Sequence, residues 1–159
     1  MPSRKFVAKP GQVDFTNARW APTLNCVVSW GDKILLVRRS AEMNLYPNQW
    51  NGIAGFLDDA KSLEEKAQEE LLEEAGIRSE EIVFIRACGV FDLDDPAVGK
   101  TWIVHVVRAE VRTGKISLDW EASEYKWVLP VEIRQYDLVP GFEKVLAAAG
   151  LRPDGKGLR

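Results

Sequence analysis

Apolar and β-branched residues concentrate in two runs near the start of the chain, Thr23 to Trp30 and Lys33 to Arg39. Gly31 and Asp32 separate these runs, and such a pair between two apolar segments predicts a hairpin with a tight turn. Three later runs are also typical of strands: Ile82 to Phe91, Thr101 to Val111 and Tyr125 to Leu129. The pattern therefore predicts a sheet of at least five strands.

The clearest helix follows Ser62, where the apolar period changes from that of a strand to that of a helix. Ser62 and Glu65 have the spacing of a capping box, and Gly76 stands just beyond the last turn as a stop signal. A second helix is predicted from Gly141 to Ala149. Because strands and helices do not alternate regularly, we expect an α+β fold or an α/β/α sandwich, with a mixed, largely antiparallel sheet.

The remaining segments lack a regular period. Residues 1–20 predict an N-terminal arm or edge strand, residues 40–54 an irregular loop, and residues 151–159 a polar tail. A length of 159 residues fits one domain of ordinary size. We therefore predict a single domain over residues 1–159.

Composition narrows the function classes. Hydrophobic residues make up 46% of the chain, charged residues make up 28%, and the formal net charge is −3. Such a balance is typical of a folded protein and does not favour binding of a nucleic-acid polymer. No apolar run is long enough to span a bilayer, and no signal peptide is recognisable. Cys26 and Cys88 are isolated, so we expect a cytoplasmic protein; a homodimer is compatible with the sequence.

The predicted helix carries an unusual concentration of acid, with six glutamates against one lysine, Lys66. Its acidic sector spans roughly 140° and its opposite face is apolar. Like charges at this spacing destabilise a helix, and a hard divalent cation would relieve the repulsion. The same face would also be compatible with a solvated surface. The sector contains Glu69, Glu70, Glu73 and Glu74.

The segment from Gly55 to Ile77 resembles the Nudix box, G-x5-E-x7-R-E-U-x-E-E-x-G-U with U an aliphatic residue. Seven of its nine fixed positions agree, without a gap. The resemblance implies an α/β/α sandwich of the Nudix type. It also implies Mg²⁺, or Mn²⁺ in its place, bound by Glu70, Glu73 and Glu74 with a backbone carbonyl near Ala54 or Gly55.

The family's general base often lies on a late loop that precedes a strand carrying a Trp. The corresponding loop here runs from residue 119 to residue 124, before Trp127. Glu121 and Glu124 are the candidates that this resemblance implies, and an exposed turn is the alternative interpretation of each.

Two motif positions depart from the family pattern. Lys61 stands where the family has Glu, and Glu69 stands where it has Arg, so both charges are reversed together. We hypothesise that Lys61 and Glu69 form the same ion pair in mirror image. The competing hypothesis is that loss of the Arg leaves a weak or inactive site.

Candidates for substrate contact lie outside the box. Arg38 and Arg39 end the second strand, where alternation places one guanidinium on each face of the sheet, so that one can reach a phosphate. Trp50, and with it Trp102 and Trp120, is a candidate for contact with a base or sugar. Trp30 and Trp127 are expected in the core, and the lone His105 is expected to have a packing role.

These features predict a Mg²⁺-dependent Nudix-type pyrophosphohydrolase. Its expected substrate is a small nucleotide-like diphosphate: a nucleoside triphosphate, a nucleotide sugar or a molecule of the ADP-ribose type. The first alternative is a Nudix-fold ligand-binding or regulatory module with weakened catalysis. A second alternative, an isoprenoid-diphosphate isomerase, is suggested by residues 46–52, but that group resembles enzymes with several histidine ligands and a catalytic Cys. One histidine and two isolated cysteines argue against it.

Overall fold

The computed structural model describes residues 6–154. Within this range seven strands form one sheet, accompanied by two α-helices and two short 3-10 helices. The strands are β1 (Trp20–Trp30), β2 (Lys33–Arg39), β3 (Trp50–Asn51), β4 (Ile53–Phe56), β5 (Ile82–Asp95), β6 (Lys100–Val111) and β7 (Ala122–Val128); the helices are α1 (Leu63–Ala75) and α2 (Phe142–Ala148), and the 3-10 helices are Ser79–Glu81 and Pro130–Gln135.

The sheet has the order β3-β2-β1-β6-β5, with β4 paired to β1 and β7 paired to β2. β1 runs parallel to β6 along most of its length, and the other strand pairs of the described sheet are antiparallel. The opposite edge of β1 pairs first with β4 and then, at its end, with β2. The predicted hairpin is confirmed by the pairing of Ser29 with Ile34. The mixed, largely antiparallel sheet is likewise confirmed.

Two hydrophobic clusters cover the two faces of this sheet. Successive side chains of β1 alternate between them, because side chains of a strand point to opposite faces. Leu24, Cys26 and Val28 pack with helix α1, whereas Ala21 and Val27 belong to the cluster of helix α2. A helix on each face of one sheet is the predicted α/β/α sandwich.

Helix α1 begins and ends where the sequence predicts. The Ser62 hydroxyl accepts a hydrogen bond from the Glu65 backbone N–H at 3.2 Å, and the Glu65 carboxylate accepts one from the Ser62 N–H. Gly76 ends the helix with a φ of 67°, a left-handed conformation that favours glycine. This capping fixes the register of the helix against the sheet, and with it the directions of its glutamates.

Several predictions of local structure need correction. Residues 40–54 are not irregular throughout, because β3 and the start of β4 lie within them and pair with β2 and β1. Residues 6–19 form turns and coil rather than an edge strand, and β1 begins at Trp20. Trp30 is 43% exposed at the sheet's end, where it packs edge-on against Trp127. The 3-10 helices carry no strong sequence signal.

Some predictions extend past the described residues. Parts of the predicted arm and tail, residues 1–5 and 155–159, lie outside them. The assignment of residues 1–159 to a single domain stays a prediction. Within the described range, no helix has both the length and the apolar character needed to cross a membrane.

Candidate active site

Glu70 lies directly against the strand that precedes the helix. A Cβ built on Gly55 of β4 would lie 2.5 Å from the Glu70 carboxylate oxygen and 3.2 Å from its Cγ. The Glu70 side chain is 13% exposed, so it occupies the space that a side chain at position 55 would otherwise fill. Glycine at position 55 therefore makes a cradle for this carboxylate.

Glu74, one helical turn further, completes a partly buried acidic group with Glu70 and Glu121. Its oxygen Oε2 is buried, and no donor within the described residues reaches it. Burial raises the pKa of Glu70 to about 7 and raises the pKa of Glu74 well above its usual value, and the neighbouring carboxylates add to the effect on Glu74. Each of these groups is costly to ionise without a cation.

Glu121 is the residue just before β7, and it lines the same cleft as Glu74, Ala54 and Gly55. Its backbone N–H donates to the Asp119 carboxylate at 3.0 Å, and its carbonyl accepts from the Ser40 N–H at 2.8 Å. These bonds hold the loop before β7 next to the end of β2. Burial also raises the pKa of Glu121. The structure thus brings Glu121 to the glutamates of α1.

The other carboxylate proposed as a general base lies elsewhere. Glu124 is exposed on β7 and pairs with the Arg38 guanidinium at 3.3 Å. Two residues separate it from Glu121, and it does not line the cleft that Glu121 lines. Glu121 is therefore preferred to Glu124 as a candidate.

The two arginines of β2 separate as the alternation predicted, helped by a bulge between them. Arg38 is exposed in its pair with Glu124, whereas Arg39 lines the cleft. Arg39 Nε donates to the Leu45 carbonyl at 2.8 Å. Burial lowers the pKa of the Arg39 guanidinium, while Glu74 and Glu121 favour its charged form. Arg39 is thus the cation on the cleft side of the acidic group.

Glu73 and Glu69 form the outer rim of the site. Ligand oxygens of Glu69, Glu70 and Glu73 lie within 4.8 Å of one another. Glu73 is exposed, in contrast to Glu74, whose Oε2 is buried. The sequence placed Glu69 both in the acidic sector of α1 and in an ion pair with Lys61, and the structure shows both contacts. Ala54 and Gly55 line the same cleft.

An apolar pocket adjoins the carboxylates. Phe56 and Trp102 pack at 6.0 Å between ring centroids, and Trp102 Nε1 donates to the Tyr46 hydroxyl at 3.1 Å. The other apolar side chains that line it are Leu24, Met43, Leu45, Phe91, Leu93, Val104, Val139, Pro140 and Val145. The pocket therefore offers aromatic and aliphatic surface beside a group that favours a cation.

Of the three tryptophans predicted to contact a base or sugar, one lines the pocket. Trp102 lines the pocket, but Trp50 is buried against Tyr136, with 5.1 Å between ring centroids. Core packing against Tyr136 leaves Trp50 outside the pocket lining, so the structure does not favour a stacking role for it. Trp120 is 40% exposed and also lies outside the lining. His105 is partly buried in β6, and its ring nitrogen lies 3.3 Å from the Ile103 carbonyl, in keeping with a packing role.

The mirror-image ion pair exists. Lys61 Nζ lies 2.9 Å from a Glu69 oxygen and 3.0 Å from an Asp59 oxygen. A buried network that was not predicted from the sequence lies beside it, in which the Lys66 ammonium lies 3.1 Å from an oxygen of Asp58 and 3.1 Å from an oxygen of Asp59. The signal was a single lysine on an acidic helix, preceded by two aspartates.

The side chains present fit a divalent cation. Glu74 offers a buried oxygen without a donor, Glu70 lies in the Gly55 cradle, and Glu121 faces both. Three carboxylates held this close repel one another unless they are protonated or share a cation. Their oxygens are the ligands that Mg²⁺ and Mn²⁺ prefer.

The raised carboxylate pKa values predict an unusual pH dependence. Because Glu70 and Glu74 bind protons more tightly in the folded than in the unfolded state, the free energy of unfolding of metal-free protein should rise as pH falls from about 8 to about 5. We expect a gain of about 1–3 kcal/mol over this window. Urea unfolding in EDTA at several pH values measures it. A flat or opposite dependence would contradict the buried, unpaired carboxylates.

The Lys61–Glu69 pair predicts energetic coupling between these two residues. In a cycle of Lys61→Gln, Glu69→Gln and the double variant, the double variant should lose less stability than the two single variants together. Because Lys61 is exposed, the coupling should be small and should shrink at high salt. Thermal unfolding at low and high ionic strength measures both effects. Strictly additive losses at low salt would show that the pair braces nothing.

Comparison with known proteins identifies the class of fold and then the family. The fold is an α/β/α sandwich in which the glutamate-bearing helix α1 packs against Gly55 of the preceding strand β4. The NUDIX domain family model matches residues 20–149. The chain belongs to the Nudix family. Membership supports the predicted class of enzyme, a Nudix-type pyrophosphohydrolase.

Individual relatives are more distant. Over 56 residues the chain is 39% identical to the m7GpppN-mRNA hydrolase NUDT17 of Xenopus laevis, an alignment that covers 35% of this chain and 19% of that protein. The chain thus spans about a fifth of this relative's length. Two solved structures share the fold at under 25% identity. The NUDIX domain of Shewanella oneidensis NrtR, complexed with ADP ribose, has a TM-score of 0.70 at 18% identity and covers 82% of this chain and 86% of that one. The MutT protein from Methanosarcina mazei Go1 has a TM-score of 0.67 at 23% identity, covering 79% and 88%.

Proposed function

We propose that this protein hydrolyses the diphosphate linkage of a nucleoside diphosphate joined to another group, with a divalent cation as cofactor. The observation that carries the proposal is the partly buried group of Glu70, Glu74 and Glu121 beside the Arg39 guanidinium, at a pocket with a largely apolar lining. A cation-binding carboxylate group beside an apolar pocket suits a substrate with a charged diphosphate and an apolar ring.

Glu70 and Glu74 would hold the cation, with Glu73 at the rim and a backbone carbonyl of Ala54 or Gly55 beside them. When bound, Mg²⁺ or Mn²⁺ supplies polarisation of a phosphoryl oxygen and lowers the pKa of a water molecule. This donor set consists entirely of oxygens, which is typical of hard divalent ions.

Side chains of the protein bind the substrate phosphate and accept the proton of the attacking water. Arg39 binds a phosphate oxygen and neutralises part of the substrate charge. Glu121 takes a proton from the attacking water, because its raised pKa brings it closer to neutral pH than an ordinary glutamate. Water forms a bond to phosphorus, and the bond to the bridging oxygen breaks. No covalent enzyme intermediate is needed.

The pocket suggests how the remainder of the substrate is held. Phe56 and Trp102 offer ring faces, and Tyr46 adds a hydroxyl that already accepts from Trp102. Aromatic rings of this kind bind planar apolar groups such as a nucleobase. Of the similar proteins, one is named as an mRNA cap hydrolase and one is complexed with ADP ribose, and both ligands contain a nucleoside attached to phosphates joined by an anhydride linkage. We propose the same general substrate class here.

The different surroundings of Glu121 and Glu124 predict different effects of the same substitution. Glu121→Gln should lower kcat by about 100-fold or more, because the amide cannot accept the proton of the attacking water. Glu124→Gln removes the same charge from an exposed residue paired with Arg38, so kcat should stay within about twofold. Steady-state kinetics at saturating Mg²⁺ compares the two variants. Equal losses, or a larger loss at Glu124, would transfer the role of base to the other glutamate.

A ligand-binding module is the second candidate function. The departures at Lys61 and Glu69 favour it, because they change two charges next to the proposed metal ligands. In this case the pocket would bind a nucleotide diphosphate and the carboxylates would not turn it over. The two candidates differ in one measurable respect, which is release of product.

A substrate panel tests both functions. The protein is incubated with Mg²⁺ or Mn²⁺ and with nucleoside triphosphates, nucleotide sugars, dinucleotides or ADP-ribose, alongside Glu74→Gln. We expect turnover of at least one compound by the wild type and its loss in the variant. Binding by calorimetry without turnover of any compound would instead support the module. A cytoplasmic location and a homodimer stay predictions beside this proposal.

A further inference from the structure

Resting on the proposed function, we infer that Lys66 is a positioning residue: its buried ammonium holds the Glu70 carboxylate in place for cation binding. In the family motif a cation directly precedes the position of Glu70, but this chain has Glu69 there. Lys66 lies one helical turn before Glu70, so its side chain projects from the same face of α1.

Burial and contacts distinguish Lys66 from its neighbour Lys61. The Lys66 side chain is 5% exposed, and its Nζ lies 3.5 Å from Glu69 and 4.0 Å from Glu70. Lys61 is 44% exposed and reaches Glu69 and Asp59. Among the described residues, Lys66 is the cation that forms an ion pair with Glu70. The swapped pair at positions 61 and 69 therefore does not account for Glu70 by itself.

Lys66 is itself held firmly through Asp58. One Asp58 carboxylate oxygen accepts from Lys66 Nζ at 3.1 Å, and the other accepts from Gln12 Nε2 at 2.7 Å. The Asp58 carbonyl also accepts from the Val13 N–H at 2.6 Å. The coil before β1 thus fixes a buried aspartate, the aspartate fixes Lys66, and Lys66 faces Glu70. Burial opposes the charge on Lys66, but its bonds to Asp58 and Asp59 raise the pKa of its ammonium, which stays charged.

Two neighbours, Gly55 and Lys66, fix the position of the Glu70 carboxylate. Gly55 leaves the space for its carboxylate, and the Lys66 ammonium attracts that carboxylate toward the start of α1. An outer group that orients a metal ligand is worth about 10- to 100-fold in metal affinity or activity. We expect Lys66 to contribute on this scale.

The decisive measurement is Mn²⁺ binding to metal-free protein, followed by the electron paramagnetic resonance signal of free Mn²⁺. A positioning role predicts that Lys66→Met binds Mn²⁺ about 10-fold more weakly, because Glu70 is no longer held. A bystander charge predicts the opposite, since removing a positive charge beside the site should strengthen cation binding. Equal or tighter binding by Lys66→Met overturns the inference.

Kinetics and conservative replacement supply the second readout. With the substrate found in the panel, Lys66→Met should lose at least about 10-fold in kcat with KM within about threefold, and Lys66→Arg should recover most of the loss. Lys61→Met is the matched control, because it removes a lysine charge that also pairs with Glu69 and Asp59 but does not reach Glu70. Equal losses in the Lys61 and Lys66 variants would overturn the inference.

Folding must be kept separate from positioning. Lys66→Met leaves the Asp58 charge buried and unpaired, so Lys66→Met/Asp58→Asn is made in parallel, and circular dichroism checks both variants. The folded variant supplies the Mn²⁺ titration. If the wild type turns over no compound in the panel, the proposed function fails, but the Mn²⁺ titration still decides the role of Lys66.

Discussion

Glu74→Gln should produce a protein that is more stable without metal and almost inactive with it. Glu74 has a buried oxygen without a donor and a pKa raised by burial and by Glu70 and Glu121. A neutral amide of nearly the same shape removes the cost of ionising this group, so the free energy of unfolding in EDTA at about pH 8 should rise by about 1–3 kcal/mol. Turnover should fall by at least about 100-fold, because a ligand of the cation is lost.

Urea unfolding and steady-state kinetics on the same preparations measure both effects. Excess Mg²⁺ should stabilise the wild type and have little effect on the variant, because a ligand stabilises the folded state only as far as it binds. The dependence of stability on pH described above should also flatten in the variant. A variant that is less stable than the wild type in EDTA would contradict the unpaired carboxylate, whatever its activity.

Gly55→Ala should remove the space that Gly55 leaves for the Glu70 carboxylate, and it should therefore lower both the stability and the activity of the protein. The added Cβ would meet Glu70 Oε1 at 2.5 Å, so the carboxylate or the strand must shift. Overpacking of this kind costs about 1–3 kcal/mol of stability. Displacement of a metal ligand by about 1 Å should lower kcat by about 100-fold. Thermal unfolding and kinetics of the purified variant test the two expectations.

The matched control for Gly55→Ala is the same change in a Glu70→Ala background. There the side chain that the new Cβ would meet is gone, so the substitution should cost clearly less stability than in the wild type. If the cost is the same in both backgrounds, the glycine is needed for another reason, such as the pairing of Gly55 with Leu24 in the sheet.

Much of the architecture could be predicted because its signals are local. The cap at Ser62 and the stop at Gly76 involve residues within three or four positions of the helix ends. The hairpin needed only Gly31 and Asp32 between two apolar runs. By contrast, β3 and β4 are too short to show a period, and they form because β2 and β1 offer them unpaired edges. Residues 40–54 were predicted as irregular for that reason.

The residues of the candidate site also differ in whether local spacing could predict their positions. Helical spacing alone placed Glu70 and Glu74 on one face, and the reversed charges of Lys61 and Glu69 correctly predicted their ion pair. Spacing could not decide between Glu121 and Glu124, because the choice depends on how β7 enters the sheet beside β2. The same tertiary pairing selected Arg39 over Arg38 for the cleft. A separate tertiary contact packed Trp50 against Tyr136.

The sequence by itself determined the family, the carboxylate helix and its boundaries, since each depends on residues close together in the chain. Only the tertiary structure showed that Lys66 is buried between Asp58 and Glu70, and that Gln12 braces Asp58 from 46 residues away. Burial strengthens the attraction between Lys66 and these carboxylates. An ammonium in water attracts a nearby carboxylate only weakly, whereas a buried ammonium attracts it strongly. That burial is set by packing across the whole fold, which no local pattern of residues contains.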